Sequence, residues 1–201
     1  FVEKFIETST YFPFLQLLTT ERPERVIANL LEGRIAILTD GSPTALILPI
    51  NFFAFYQSPD DYNSRSIAGS FYRMVRLLSF SIAVLLPAVY IAIVSFHFEF
   101  IPGNLILPVK GSLENIPYPP LLEALFMELI IELIREAGVR LPTPIGQTIG
   151  IVGGLVIGES VVRAGLVSNL MVIIVALTAI SSFVIPSTEM RTSVRILRFP
   201  F

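Results

Sequence analysis

The chain has 201 residues, 53% of them hydrophobic and only 15% charged, where a soluble domain carries about 25% charged residues. A net charge of −2 provides no electrostatic footprint for nucleic acid, and the lack of cysteine excludes disulfides, thiol nucleophiles and Cys-based metal sites. The charge deficit is local: Leu77–Phe98 holds a single His and no Asp, Glu, Lys or Arg, and Ala164–Thr188 holds none of the four. About 20 apolar residues at 1.5 Å rise cross a hydrocarbon layer of about 30 Å, so both blocks are long enough to span a membrane.

Residues 1–57 read as the end of a cytosolic α/β module with a β-hairpin. Phe1–Glu7 has two acids and no long apolar core, unlike a signal peptide. The absence of an initial Met, and an amphipathic pattern still running from Arg191 to Phe201, predict a piece of a longer protein. Pro23 suits a first helical position, Val26, Ile27, Leu30 and Leu31 recur at helical spacing, and Gly33 suits the C-cap. Arg34–Thr39 and Thr44–Leu48 read as two strands around an Asp40-Gly41 turn, with Pro49 ending the second.

Ser58–Asp61 is a turn or capping cluster. An amphipathic surface helix is expected through residues 58–76, with Ile67, Phe71, Val75 and Leu78 on its apolar face. The membrane domain, residues 77–201, is expected to hold four helices, over about 77–96, 121–137, 145–162 and 166–185. Pro87 interrupts the first, and a Pro- and Gly-rich loop over residues 97–119 follows it. With the N-terminal module inside, four crossings leave Arg65, Arg73, Arg76, Arg135, Arg140, Arg191, Arg195 and Arg198 inside, and only Lys110 and Arg163 outside. The fold class is thus a multi-span α-helical membrane protein behind the C-terminal part of a cytosolic α/β domain.

Two features in this domain stand out. Gly146, Gly150, Gly154 and Gly158 recur every four residues, which makes a helix face that another backbone can approach closely. That face packs another helix of the same subunit, or faces a neighbouring subunit or a pore axis. In the preceding helix, Glu128, Glu132, Arg135 and Glu136 fall within roughly a 100° arc, with Glu123 off it. Charges at membrane depth are expensive and face protein or water. They form structural pairs, Glu132 with Arg135 and Glu136 with Arg140, or they line a cation path as rings of carboxylates. Glu128, with no Arg at that spacing, is the favoured conducting residue.

No catalytic constellation is present. His97 alone makes neither a zinc site nor a triad, and all three aspartates precede the spans. There is no Gly-x-Ser-x-Gly or His-Glu-x-x-His. The chain reads as a non-enzyme with no metal and no cofactor.

Specific strings then come into view: Glu21-Arg-Pro-Glu-Arg-Val26, Leu30-Leu-Glu-Gly-Arg-Ile-Ala-Ile-Leu38, Asp40-Gly-Ser-Pro43 and Gln57-Ser-Pro-Asp-Asp-Tyr62. Arg135-Glu-Ala-Gly138, Pro142-x-Pro-Ile-Gly-Gln147, Ile149-Gly-Ile-Val-Gly-Gly154, Ala176-Leu-Thr-Ala-Ile180 and Arg195-x-Leu-Arg-Phe-Pro200 follow in order. Together they resemble the A subunit of bacterial spore germinant receptors, the GerA family, or its close relative from a spore dipicolinate-release operon. The resemblance implies a larger cytosolic N-terminal region, a membrane domain in the spore inner membrane, and at least one further span after Phe201. It also implies a transporter-like B subunit and a lipoprotein C subunit as partners. Assembly as a homo-oligomeric ring, proposed to be pentameric, that conducts cations when nutrient is sensed is implied too. A secondary transporter, with Leu141–Gly158 as its broken helix, and a membrane scaffold for sensing partners are the other readings.

Overall fold

The computed structural model describes residues 16–58, 61, 65–114 and 116–200. The chain divides into two compact units, residues 1–81 with 181–200, and residues 82–180.

In the first unit, β1 (Leu18–Thr20), β2 (Ile35–Leu38) and β3 (Ala45–Leu48) form an antiparallel sheet in the order β1-β3-β2. The Ala-Leu-Ile-Leu run of β3 makes it the centre strand, because Ala45, Leu46 and Ile47 are all buried. β2 and β3 are the expected hairpin, pairing Ile35 with Leu48 and Leu38 with Ala45. Gly41 turns between them at φ 77°. The short β1, not anticipated from sequence, pairs with the other edge of β3. Helix α1 (Pro23–Leu31) packs on this sheet and stops at Gly33, whose φ of 81° suits a residue without Cβ.

A 3₁₀ turn, Phe52–Tyr56, then leads to α2 (Ser66–Phe96). The surface helix and the first span expected separately are one unbroken element of 31 residues, about 46 Å long at 1.5 Å per residue. The expected apolar face at its start is open, with Ile67 85%, Phe71 63% and Leu78 61% exposed. Ser66 opens α2, and residues 59, 60 and 62–64 of the expected surface helix lie outside the described residues. At the other end of the unit, α7 (Thr188–Arg198) is capped by Ser187, whose hydroxyl accepts from the Met190 amide at 3.0 Å. It buries Met190 and Val194.

The second unit holds the rest of α2, then α3 (Gly103–Leu113), α4 (Pro120–Arg140), α5 (Thr143–Arg163) and most of α6 (Asn169–Phe183). The expected loop at residues 97–119 is corrected here: it contains a 3₁₀ turn, Phe98–Phe100, and the helix α3. Pro108 inside α3 hid it from a reading that treats proline as a breaker. α4 and α5 have 21 residues each, are joined by Leu141-Pro142, and pack together as a helical hairpin. Tyr90, Ala124, Met127, Val161, Val167, Met171 and Val175 make the core.

Among the described residues, α2 and the Ile145–Arg163 stretch of α5 are the helices long and apolar enough to cross a membrane. α6 is apolar but has 15 residues, and α4 has the length but carries six ionisable side chains between Glu123 and Arg140. Length and composition thus mark two candidate spans among the described residues, where four were expected.

Candidate functional site

The acids of α4 separate into two kinds. Toward its C-terminal end they are paired: Arg135 donates to Glu132 at 3.3 Å, and Arg140 lies 2.7 Å from Glu136. Helical spacing of three and four residues brings each pair together. These are the structural pairs that the sequence offered as one of two readings. Toward its N-terminal end the acids turn inward: Glu123 is 1% exposed and Glu128 7%.

Glu123, which the helical arc leaves aside, is the most enclosed charged side chain among the described residues. Its Oε1 accepts from the Ser168 backbone N–H at 2.5 Å. Ser168 stands one residue before α6, and its hydroxyl accepts from the Met171 amide at 3.1 Å. Ser168 is therefore the N-cap of α6, and Glu123 adds a second, tertiary cap from another helix. The free N–H groups and the positive end of the helix dipole favour a carboxylate there. The Tyr90 hydroxyl from α2 lies 3.5 Å from the Ser168 hydroxyl. One polar node thus ties α2, α4 and the start of α6 across the core. No sequence signal reports it, because Glu123 and Ser168 are 45 residues apart.

The glycines also separate. A Cβ on Gly146 would lie 2.4 Å from the Gly138 carbonyl oxygen, so these two residues are where α4 and α5 touch backbone to backbone. Gly150, Gly154 and Gly158 would place a Cβ with no neighbour within 4 Å. Gly154 and Gly158 line an apolar cavity of about 130 Å³ with Met127, Ile130 and Ile131. Ile151, Val152, Leu155 and Val156 are all exposed. Only the first glycine of the four packs tightly inside this subunit.

In the first unit, Asp61 is a deeply buried acid. Its carboxylate accepts from Arg76 of α2 and from the Ser58 amide at 3.0 Å, with Arg73 at 3.8 Å. Arg76 also donates to the Tyr56 carbonyl at 3.1 Å. Burial pushes the Asp61 carboxyl up, but the Arg76 and Ser58 hydrogen bonds and the two positive charges outweigh it and hold it below its ordinary value. The cluster read from Ser58-Pro-Asp-Asp61 as a cap thus clasps the chain to the start of α2.

The whole chain, residues 1–201, matches the family model described as Bacillus/Clostridium GerA spore germination protein. The chain belongs to the GerA family. It is 48% identical to spore germination protein A1 of Bacillus subtilis over 98% of this chain and 41% of that protein. Spore germination protein GerLA of Bacillus cereus is 50% identical over 100% of the chain and 41% of its own length. The uncharacterized membrane protein YfkQ of Bacillus subtilis is 49% identical over 100% and 39%. This GerA-family chain spans about two fifths of the length of the curated relatives it matches. No solved structure matches it.

Among the described residues of this GerA-family chain, no group of three His, Cys, Asp or Glu side chains could hold a metal ion. Glu123 instead engages an amide, and Asp61 an amide and guanidinium groups.

Proposed function

We propose that this chain is part of an A-type germinant-receptor subunit in the spore inner membrane, with its N-terminal module cytoplasmic and B- and C-type subunits as partners. The subunit assembles with copies of itself, in a ring of about five, into a nutrient-responsive cation channel, with α2, α4, α5 and α6 in the bilayer. The observation that carries the oligomer is α5: it is apolar and leaves Ile151, Val152, Leu155 and Val156 exposed, while Gly154 and Gly158 line the cavity inside the subunit. An exposed apolar helix face of that kind meets lipid or a neighbouring copy. The geometry therefore supports α5, rather than the acidic arc of α4, as the surface facing a neighbouring copy or the pore axis. Glu132, Arg135, Glu136 and Arg140 act as neutralised pairs at one end of α4.

Glu128 favours a second reading. It is buried inside its own subunit, where an ion site within each copy, as in a secondary transporter, would use it. One experiment separates the two. The purified full-length protein is placed in bilayers, and current is recorded across a salt gradient for Leu155→Cys, on the exposed face of α5, and for Glu128→Gln. Block of Leu155→Cys by an impermeant thiol reagent, with Glu128→Gln unchanged in reversal potential, supports α5. A shifted reversal potential for Glu128→Gln with no thiol block moves the path into the subunit. No current from assembled protein returns the chain to the scaffold reading.

A further inference from the structure

We infer that the segment following α2 is a second membrane-contacting surface, in which α3 lies in the plane of the bilayer at the boundary between headgroups and acyl chains. The inference rests on the membrane reading of α2 above and does not depend on conduction. α3 turns Ile106, Val109 and Leu113 inward at spacings of three and four, and Val109 is 9% exposed. In water, the outward face of such a helix would carry charge. The exposed positions here, Asn104, Leu105, Leu107, Pro108 and Gly111 among them, are uncharged except for Lys110. Leu107 is 80% exposed, and the neighbouring Phe96 and Phe100 are 79% and 76% exposed.

The occupant is lipid, because this surface continues directly from α2, whose apolar run ends at Phe96. A helix of 11 residues is too short to span, which leaves the plane of the interface as its place. The polar groups agree. The Lys110 ammonium sits 5.5 Å from the Phe98 ring centroid, at the level where lysine stems follow apolar surface and the charge reaches headgroups. Phe96, Phe98, Phe100 and Tyr118 bracket α3 in sequence as an interfacial aromatic belt would.

The chain contains no Trp, so a single introduced Trp reports its own surroundings. Leu107→Trp and Phe100→Trp are each placed in the full-length protein in phosphatidylcholine vesicles. Bromines are carried on the lipid chains either near the headgroups or near the bilayer centre. Leu85→Trp, on the exposed side of α2, and Asp40→Trp, in the β-hairpin turn, are the references. For Leu107→Trp and Phe100→Trp the expected result is emission at short wavelength, quenched several-fold more by shallow than by deep bromines and barely by aqueous iodide. Quenching by iodide, as for Asp40→Trp, overturns the inference. Shielding from both iodide and bromine also overturns it, since a protein partner or second copy then covers the surface. If Leu85→Trp is quenched by lipid and Leu107→Trp is not, only α3 is misassigned. If neither is quenched, the membrane reading of α2 falls with it.

Discussion

In each compact unit a deeply buried carboxylate accepts from a backbone amide, Asp61 in one and Glu123 in the other, but only Asp61 also has guanidinium partners. Asp61, before α2, is held by the guanidinium of Arg76, with Arg73 close by and the Ser58 amide beneath. Glu123, in the core of the apolar unit, accepts from the Ser168 amide at the start of α6. A buried ion pair needs two charges taken from water, which is bearable where the arginines keep some access to it, as Arg73 does at 42% side-chain exposure. In an apolar helical bundle a second charge is expensive, and the free amides of a helix start supply fixed partial positive charge that is already desolvated. The difference teaches that the acid's partner follows from its surroundings, not from the acid.

Removing Asp61 tests the charged half of the comparison and carries the largest expected effect. Asp61→Ala strands Arg76, which is 15% exposed, and should lower unfolding stability by about 3–5 kcal/mol. The same site has a pH signature. Because the folded-state value of Asp61 is depressed, its stabilisation is full above the ordinary aspartate range and is lost as pH falls through the lowered value. Thermal melts of the wild type should therefore drop in acid more steeply than those of Asp61→Asn. Parallel pH profiles would mean that the clasp contributes nothing.

The uncharged half is sharpened by Glu123. Glu123→Ala leaves the Ser168 amide without its acceptor and should cost about 1–3 kcal/mol, while Glu123→Gln keeps an acceptor oxygen and should cost less. Hydrogen exchange at the first turn of α6 reads this directly: protection should be lost in the Ala variant and largely kept in the Gln variant. Equal loss in both would show that the negative charge matters more than the hydrogen bond.

The smallest effect is expected at Arg163, which pairs with Glu159 at 2.6 Å while 79% of its side chain is exposed. Water screens such a pair, so Arg163→Ala should leave the melting midpoint within experimental error. A clear drop would show that this end of α5 is covered in the assembled protein, and the contrast between buried and exposed charge would then need the neighbouring copy.

Local pattern determined a good deal of this molecule. The helical spacing of Val26, Ile27, Leu30 and Leu31, the Gly33 stop and the Asp40-Gly41 turn dictate α1 and the hairpin, because each depends on neighbours a few residues away. Charge-free runs dictate the apolar helices, and the pairs Glu132–Arg135 and Glu136–Arg140 follow from helical spacing alone. The family was also legible, since its strings lie in order along the chain. Tertiary structure alone decided which residues matter within those elements. Periodicity places Glu123 off the arc of α4, yet packing against α6 makes it the most enclosed acid. A four-residue repeat cannot tell Gly146, pressed against the Gly138 carbonyl, from Gly150, Gly154 and Gly158, which meet nothing within 4 Å. Spacing places side chains around their own helix axis, whereas burial and close contact are set by a second element that the local pattern does not contain.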